Sequence, residues 1–234
     1  MATFVLVHGA WAGGAAWAEV ADGLRARGHR VFAPTLTGIG ERRHLLSGTI
    51  NLSTHVQDIV GLIDSEGLSD VILAGHSYGG MVVTGVADRV PHRIRKLAYV
   101  DAIVPENGQS MLDVFGPERA VRIMADAAAN GGTAIPCPSP SYFRLPPELA
   151  AQAGYAGTFQ PLATFVERLR LRNGPWAGPR AYIVAGTYAG SIFLTRFWPR
   201  FSADPSWQCF EIPCSHTSQV EAPERLTEVL AELA

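Results

Sequence analysis

A chain of 234 residues, 47% hydrophobic and 17% charged, is long enough to bury one domain-sized core and too apolar to stay disordered. Its net charge of −2 offers no electrostatic basis for a nucleic-acid or anionic-membrane partner. No apolar run approaches the ~20 residues of a membrane span, no secretory leader precedes the first strand, and Cys137, Cys209 and Cys214 lack metal-ligand spacing, so a cytoplasmic protein with reduced thiols is expected.

In chain order, residues 3–8 (TFVLVH) read as a short apolar strand. A helix over 17–27 is closed by Gly28, and a second strand follows over 30–34. The loop 35–48 is rich in glycine and charge. Residues 52–66 carry Val56, Ile59, Val60 and Ile63 at i, i+3, i+4 and i+7, the stripe of an amphipathic helix. A third strand is expected over 70–74, a helix over 80–90 ended by Pro91, and further strands over 94–100, 180–185 and 207–212. The last helix begins at Pro223, which suits a first turn, and spaces Leu226, Val229, Leu230 and Leu233 on one face.

Strands alternating with helices predict a mostly parallel six-stranded sheet flanked by helices, an α/β architecture. One interval breaks the rhythm. Residues 105–179 separate the fourth and fifth strands and hold helical patches at 117–129 and 162–171 among Pro- and Gly-rich loops. So long an excursion is usually functional. The expected division is a core of 1–104 and 179–234 with a cap, or lid, over 105–178.

The chemistry starts at Gly75-His76-Ser77-Tyr78-Gly79, between the run Val71-Ile72-Leu73-Ala74 and the helix beginning Gly80-Met81. Strand, Gly-x-Ser-x-Gly turn, then helix is the context that gives this motif meaning. Glycines on both sides let strand and helix crowd together, and the helix N-terminus presents free N–H groups and positive potential. Ser77 is therefore the candidate nucleophile. A serine hydroxyl needs a base. Of seven histidines, only His216 lies beyond the sixth strand, in a loop ending on the same sheet edge as Ser77. His76 is expected to point away from Ser77 and to be structural, His29, His55 and His92 to lie on the surface, and His44 to reach the cleft mouth at most. The loop 186–191 after the fifth strand contains no carboxylate, whereas Asp101 stands at the tip of the fourth. Asp101 is the candidate acid, with Asp204 and Glu106 in reserve. Backbone N–H groups of Ala10 and Tyr78 are the candidate oxyanion hole.

Leu6-Val7-His8-Gly9-Ala10-Trp11, Gly75-His76-Ser77-Tyr78-Gly79-Gly80 and His216 together resemble the α/β-hydrolase superfamily over essentially the whole chain. The phrase His8-Gly9-Ala10-Trp11 with Trp17 is similar to the branch of plant methylesterases and hydroxynitrile lyases, and closer still to bacterial esterases and carbamate-cleaving hydrolases. The resemblance implies the α/β-hydrolase fold and a Ser-His-acid hydrolase. The plant enzymes take their acid after the fifth strand, where this chain has none. Tyr99-Val100-Asp101-Ala102 resembles instead the arrangement of one haloalkane dehalogenase subgroup, although Ser77 stands where dehalogenase chemistry uses Asp.

These readings lead to a serine esterase acting on a small-molecule ester or carbamate, with no cofactor or metal, as monomer or homodimer. The alternatives are a carbamate or amide hydrolase, a hydroxynitrile lyase, and a non-hydrolytic member such as a biosynthetic cyclase. Thr217 after His216, where the lyases have lysine, and Gly9, where they have threonine, weigh against a lyase. Candidate pocket walls are Trp11, Phe115, Tyr142, Phe143, Phe159 and Trp176, with Tyr155 also in the cap; each would serve equally as cap core. No cationic residue is placed at the pocket by the sequence.

Overall fold

A computed structural model describes residues 1–139, 142, 145, 148–149, 158–187 and 189–234. Six parallel strands form one sheet: β1 (Thr3–Val7), β2 (Arg30–Phe32), β3 (Val71–His76), β4 (Ile94–Val100), β7 (Arg180–Ala185) and β8 (Trp207–Ile212), in the order β2-β1-β3-β4-β7-β8. A separate antiparallel ribbon pairs β5 (Ala134–Pro136) with β6 (Phe159–Pro161). All six strands expected from the sequence enter the sheet.

Period-two alternation sorts their side chains onto two faces. Phe4, Leu6, Ile72, Ala74, Val100 and Ile183 pack toward α1 (Ala18–Ala26) and the C-terminal helix α9 (Pro223–Glu232). Val5, Val7, Leu73, Tyr99 and Val184 pack toward α2 (Leu52–Ser65) and α3 (Gly79–Arg89). The stripe of α9, Leu226, Val229, Leu230 and Leu233, is fully buried. Each such side chain contributes roughly 1.5–3 kcal/mol of transfer free energy. Asn51 caps α2 through a reciprocal pair with Thr54, which defines where that helix starts. Among the described residues, no helix is long and apolar enough to cross a membrane.

Between β4 and β7 the described chain contains α4 (Met111–Phe115), α5 (Pro117–Ala129), the β5–β6 ribbon and a single turn, α6 (Ala163–Val166). The helix expected over 162–171 is thus much shorter. Glu167 leaves the helical region (ψ 130°), and its carboxylate accepts from the Ser53 N–H and hydroxyl at the start of α2, 2.7 Å each. Beyond it, Leu169 N–H donates to Gln109 O. Tertiary hydrogen bonds replace the helical ladder there. The ribbon strands have three residues each, too short to show periodicity. After β7, a π-helical turn (Phe193–Phe197) runs into α7 (Trp198–Ser202), followed after β8 by α8 (Ser218–Glu221).

The chain crosses over at β1. From there β2 lies on one side and β3, β4, β7 and β8 on the other. In such open sheets the crevice at the carboxyl ends beside the switch point is where ligands bind. The loops after β1, β3, β4 and β8 all open there.

Candidate active site

Ser77 directly follows β3, at φ +53°, in the left-handed region that L-residues seldom occupy. The turn is possible because of its glycines. A Cβ on Gly75 would lie 2.6 Å from Gly79 O, and one on Gly79 would lie 2.7 Å from Val7 O. Ser77 N–H donates to Val100 O, while Ser77 O accepts from Gly80 and Ile103. Trp11 (φ +62°) and Asp101 (φ +42°) are also left-handed. Three of the four non-glycine residues with positive φ among the described residues therefore meet at this sheet edge. Such strain costs on the order of 1–3 kcal/mol each and persists only where surroundings impose it.

His216 Nε2 lies 3.0 Å from Ser77 Oγ, and His216 Nδ1 lies 2.6 Å from Asp101 Oδ2. Asp101 is 1% exposed, and its second oxygen accepts from Ala185 N–H at 3.0 Å. Burial raises the Asp101 pKa, with the His216 contact and the Ala185 N–H opposing the rise. The geometry assigns the protons: Nδ1–H donates to Asp101, leaving Nε2 to accept from the serine hydroxyl. The reserves lie elsewhere. Glu106 pairs with Arg200 at the surface, and Asp204 accepts from Ser206 N–H.

Sequence reasoning missed Phe193, whose ring stacks on His216 (centroids 4.8 Å apart, planes 7° apart). Its only signal was the aromatic run Phe193, Phe197, Trp198 and Phe201, which has no helical or strand period that points at the site.

Three buried histidines brace the surroundings. His8 Nδ1–H donates to Gly9 O at 2.7 Å, and its Nε2 accepts from Leu36 N–H. In a trans peptide the carbonyl and N–H point opposite ways. Holding Gly9 O therefore aims the Ala10 N–H away from His8. His55 Nε2–H donates to Thr37 O, and its Nδ1 accepts from the Tyr78 hydroxyl at 3.0 Å. The expectation that His55 is a surface residue is thus wrong: one face of α2 buries it completely against the serine turn. His76 Nε2–H donates to His216 O and its Nδ1 accepts from Gln219 Nε2 at 3.3 Å, so this ring braces the loop that carries His216. His29 is half-buried against Phe4, while His92 and His44 are exposed, His44 bonding Glu41 O rather than lining the cleft.

Burial lowers the pKa of His8 and His55 to about 4 from 6.5. A depressed folded-state pKa gives stability that is present above pH 6.5 and is lost as pH falls toward 4, on the order of 3 kcal/mol per group when fully protonated. The urea midpoint is therefore expected to fall steeply between pH 6.5 and 4, and less steeply for His55→Asn. A midpoint constant across that interval would contradict the assignment of neutral, structural imidazoles.

Ser77 and His216 open onto a cavity of about 370 Å³ walled by Trp11, Met111, Phe115, Arg119, Tyr142, Phe165, Ile192 and Phe193. Of the expected wall residues, Trp11, Phe115 and Tyr142 are there. Phe159 and Trp176 are not among its lining residues. Phe159 is partly exposed on the ribbon, and Trp176 covers Gly178 at the far end of the excursion. Phe143 and Tyr155 lie outside the described residues. A cation does reach the cavity: the Arg119 guanidinium lies 3.6 Å over the Phe115 ring and 5.4 Å from Tyr142. Among the described residues, no group of three or more His, Cys, Asp or Glu side chains converges as a metal site. Cys214, near the site in sequence, is buried, and burial pushes its thiol up to about 12.

A strand-turn-helix serine, a histidine after the last strand and a parallel sheet define an α/β hydrolase. Residues 4–229 match the alpha/beta hydrolase family, and the chain belongs to it. It is 41% identical to the carbendazim hydrolyzing esterase of Nocardioides sp. (strain SG-4G), with both chains covered completely. It is 26% identical to the putative chloroplastic methylesterase 11 of Arabidopsis thaliana, over 99% of this chain and 63% of that protein. Among solved structures it resembles an extracellular alpha/beta-hydrolase of a Paenibacillus species, described as sharing structural and functional homology with tobacco salicylic acid binding protein 2. That likeness has a TM-score of 0.84 and 25% identity, and covers 99% of this chain and 98% of the other.

Proposed function

We propose that this protein hydrolyses small neutral carboxylic esters in two steps through an acyl-enzyme on Ser77. The observation that carries the reading is the continuous hydrogen-bonded path Ser77 Oγ–His216–Asp101 at the wall of an aromatic cavity. Full-length kinship to an esterase makes the chain a carboxylic ester hydrolase; the roles and substrate below rest on chemistry. His216 Nε2 takes the serine proton as Oγ attacks the ester carbonyl. Asp101 keeps Nδ1 protonated and stabilises the imidazolium. The N–H groups of Ala10 and Tyr78 receive the oxyanion; neither has an acceptor among the described residues. The imidazolium then protonates the leaving alkoxide. Water attacks the acyl-enzyme with His216 again as base, and Ser77 is regenerated.

The cavity supports a small acyl group with an aromatic or hydrophobic alcohol portion, because its walls are flat rings. Arg119, lying on Phe115, offers a planar face as well as a charge. The excursion 105–178 acts as the cap, since it supplies Met111, Phe115, Arg119, Tyr142 and Phe165 to the cavity.

Carbamate cleavage is the second reading. The relative named for carbendazim favours it, and the same oxyanion site serves any acyl transfer. In a panel of p-nitrophenyl acetate and butyrate, an alkyl ester, carbendazim, a cyanohydrin and a long-chain triglyceride, the aryl esters should turn over fastest. Carbendazim should be cleaved more slowly, and the triglyceride scarcely at all. Cyanohydrin cleavage without ester hydrolysis would overturn the reading.

A further inference from the structure

We infer that Gln160, in the ribbon of the excursion, is a positioning residue for the oxyanion hole; the inference rests on the esterase reading above. Its carboxamide Oε1 accepts from the Trp11 main-chain N–H at 3.2 Å. Its side chain is wholly buried, 149 residues away in sequence from the peptide it holds. Ile135, directly opposite Gln160 in the β5–β6 register, accepts from the Trp11 indole N–H at 3.0 Å. One rung of the ribbon thus grips Trp11 at both its peptide and its ring.

The orientation of the amide is determined. The Thr164 hydroxyl donates to Pro161 O at 2.6 Å, so its oxygen can only accept from Gln160 Nε2, 2.7 Å away. Gln160 must therefore present its carbonyl oxygen, an acceptor, to Trp11 N–H.

Ala10, whose N–H is assigned to the oxyanion, lies between two anchored peptides. His8 holds the carbonyl of the preceding one, and Gln160 holds the N–H of the following one. Trp11 sits at φ +62°, a conformation that needs such restraint. Without Gln160, the Trp11 N–H would lose a buried acceptor and the loop would relax toward ordinary dihedrals, turning the Ala10 N–H off target. Losing one oxyanion donor outright costs about 10²–10³ in kcat, and misaiming it costs part of that. The oxyanion forms only along the reaction, so the loss belongs in kcat and not in KM.

The test is steady-state kinetics on p-nitrophenyl butyrate for Gln160→Met, which keeps length and apolar volume, and for Thr164→Val, which keeps shape but frees the amide. Gln160→Met should lower kcat about 10- to 100-fold with KM within threefold. Thr164→Val should lower it several-fold in the same pattern, and Thr164→Ser should restore it. The pH dependence of kcat/KM should not move, because the Ser77–His216–Asp101 path is untouched. Unchanged kcat in a folded Gln160→Met, or a loss carried by KM, overturns the assignment. If Gln160→Met does not fold, Gln160→Leu, of similar volume and equally without an acceptor for the Trp11 N–H, is read in the same way. Failure of the wild-type protein to cleave aryl esters would count instead against the esterase reading, so the two failures are distinguishable.

Discussion

Ser77→Ala should leave the fold intact and reduce ester turnover by several orders of magnitude, as loss of a nucleophile generally does. The turn does not depend on the hydroxyl. It is held by Ser77 N–H to Val100 O, by Ser77 O accepting from Gly80 and Ile103, and by close approach at Gly75 and Gly79. Alanine meets the same φ of +53° as serine does, so thermal stability should change little. What disappears is the oxygen 3.0 Å from His216 Nε2. Covalent labelling by an aryl phosphonate should be complete in the wild type and absent in the variant. A variant that keeps most of its turnover would rule out the acyl-enzyme route.

Asp101→Asn should cost on the order of 10⁴ in kcat, by analogy with the same change in other triads. The reason lies in the two ends of the carboxylate. Ala185 N–H donates to Oδ1 and would hold the amide oxygen of Asn there, which turns the Asn NH₂ toward His216 Nδ1. Two N–H groups cannot face each other at 2.6 Å. The imidazole would have to move its proton to Nε2, which could then no longer accept from Ser77. The Asp204→Asn variant is the control: its carboxylate accepts from Ser206 N–H at an exposed turn, and turnover should be nearly unaffected. If the two variants behaved the other way round, the acid would have been misassigned.

Local chemistry was enough to read much of this protein from its sequence. Short apolar runs marked the six sheet strands, with β3 buried on both faces, and the stripes of Val56, Ile59, Val60, Ile63 and of Leu226, Val229, Leu230, Leu233 marked α2 and α9, because such patterns lie among neighbours in sequence. Glycines around Ser77 marked the turn for the same reason. Asp101 was legible as a candidate through its place at the tip of the fourth strand, once the loop 186–191 was seen to lack a carboxylate. Tertiary structure decided the rest. Strand order and register set the 2.6 and 3.0 Å contacts that join residues 77, 101 and 216. The three-residue ribbon strands have no period to detect, yet their pairing carries Gln160 to Trp11. His55 reads as an ordinary helix residue until α2 packs against the serine turn, and Phe193 and Arg119 belong to the cavity only because separate segments fold onto one another. Periodicity records which face of an element is buried; it carries no information about which distant element covers that face, and that choice built the site.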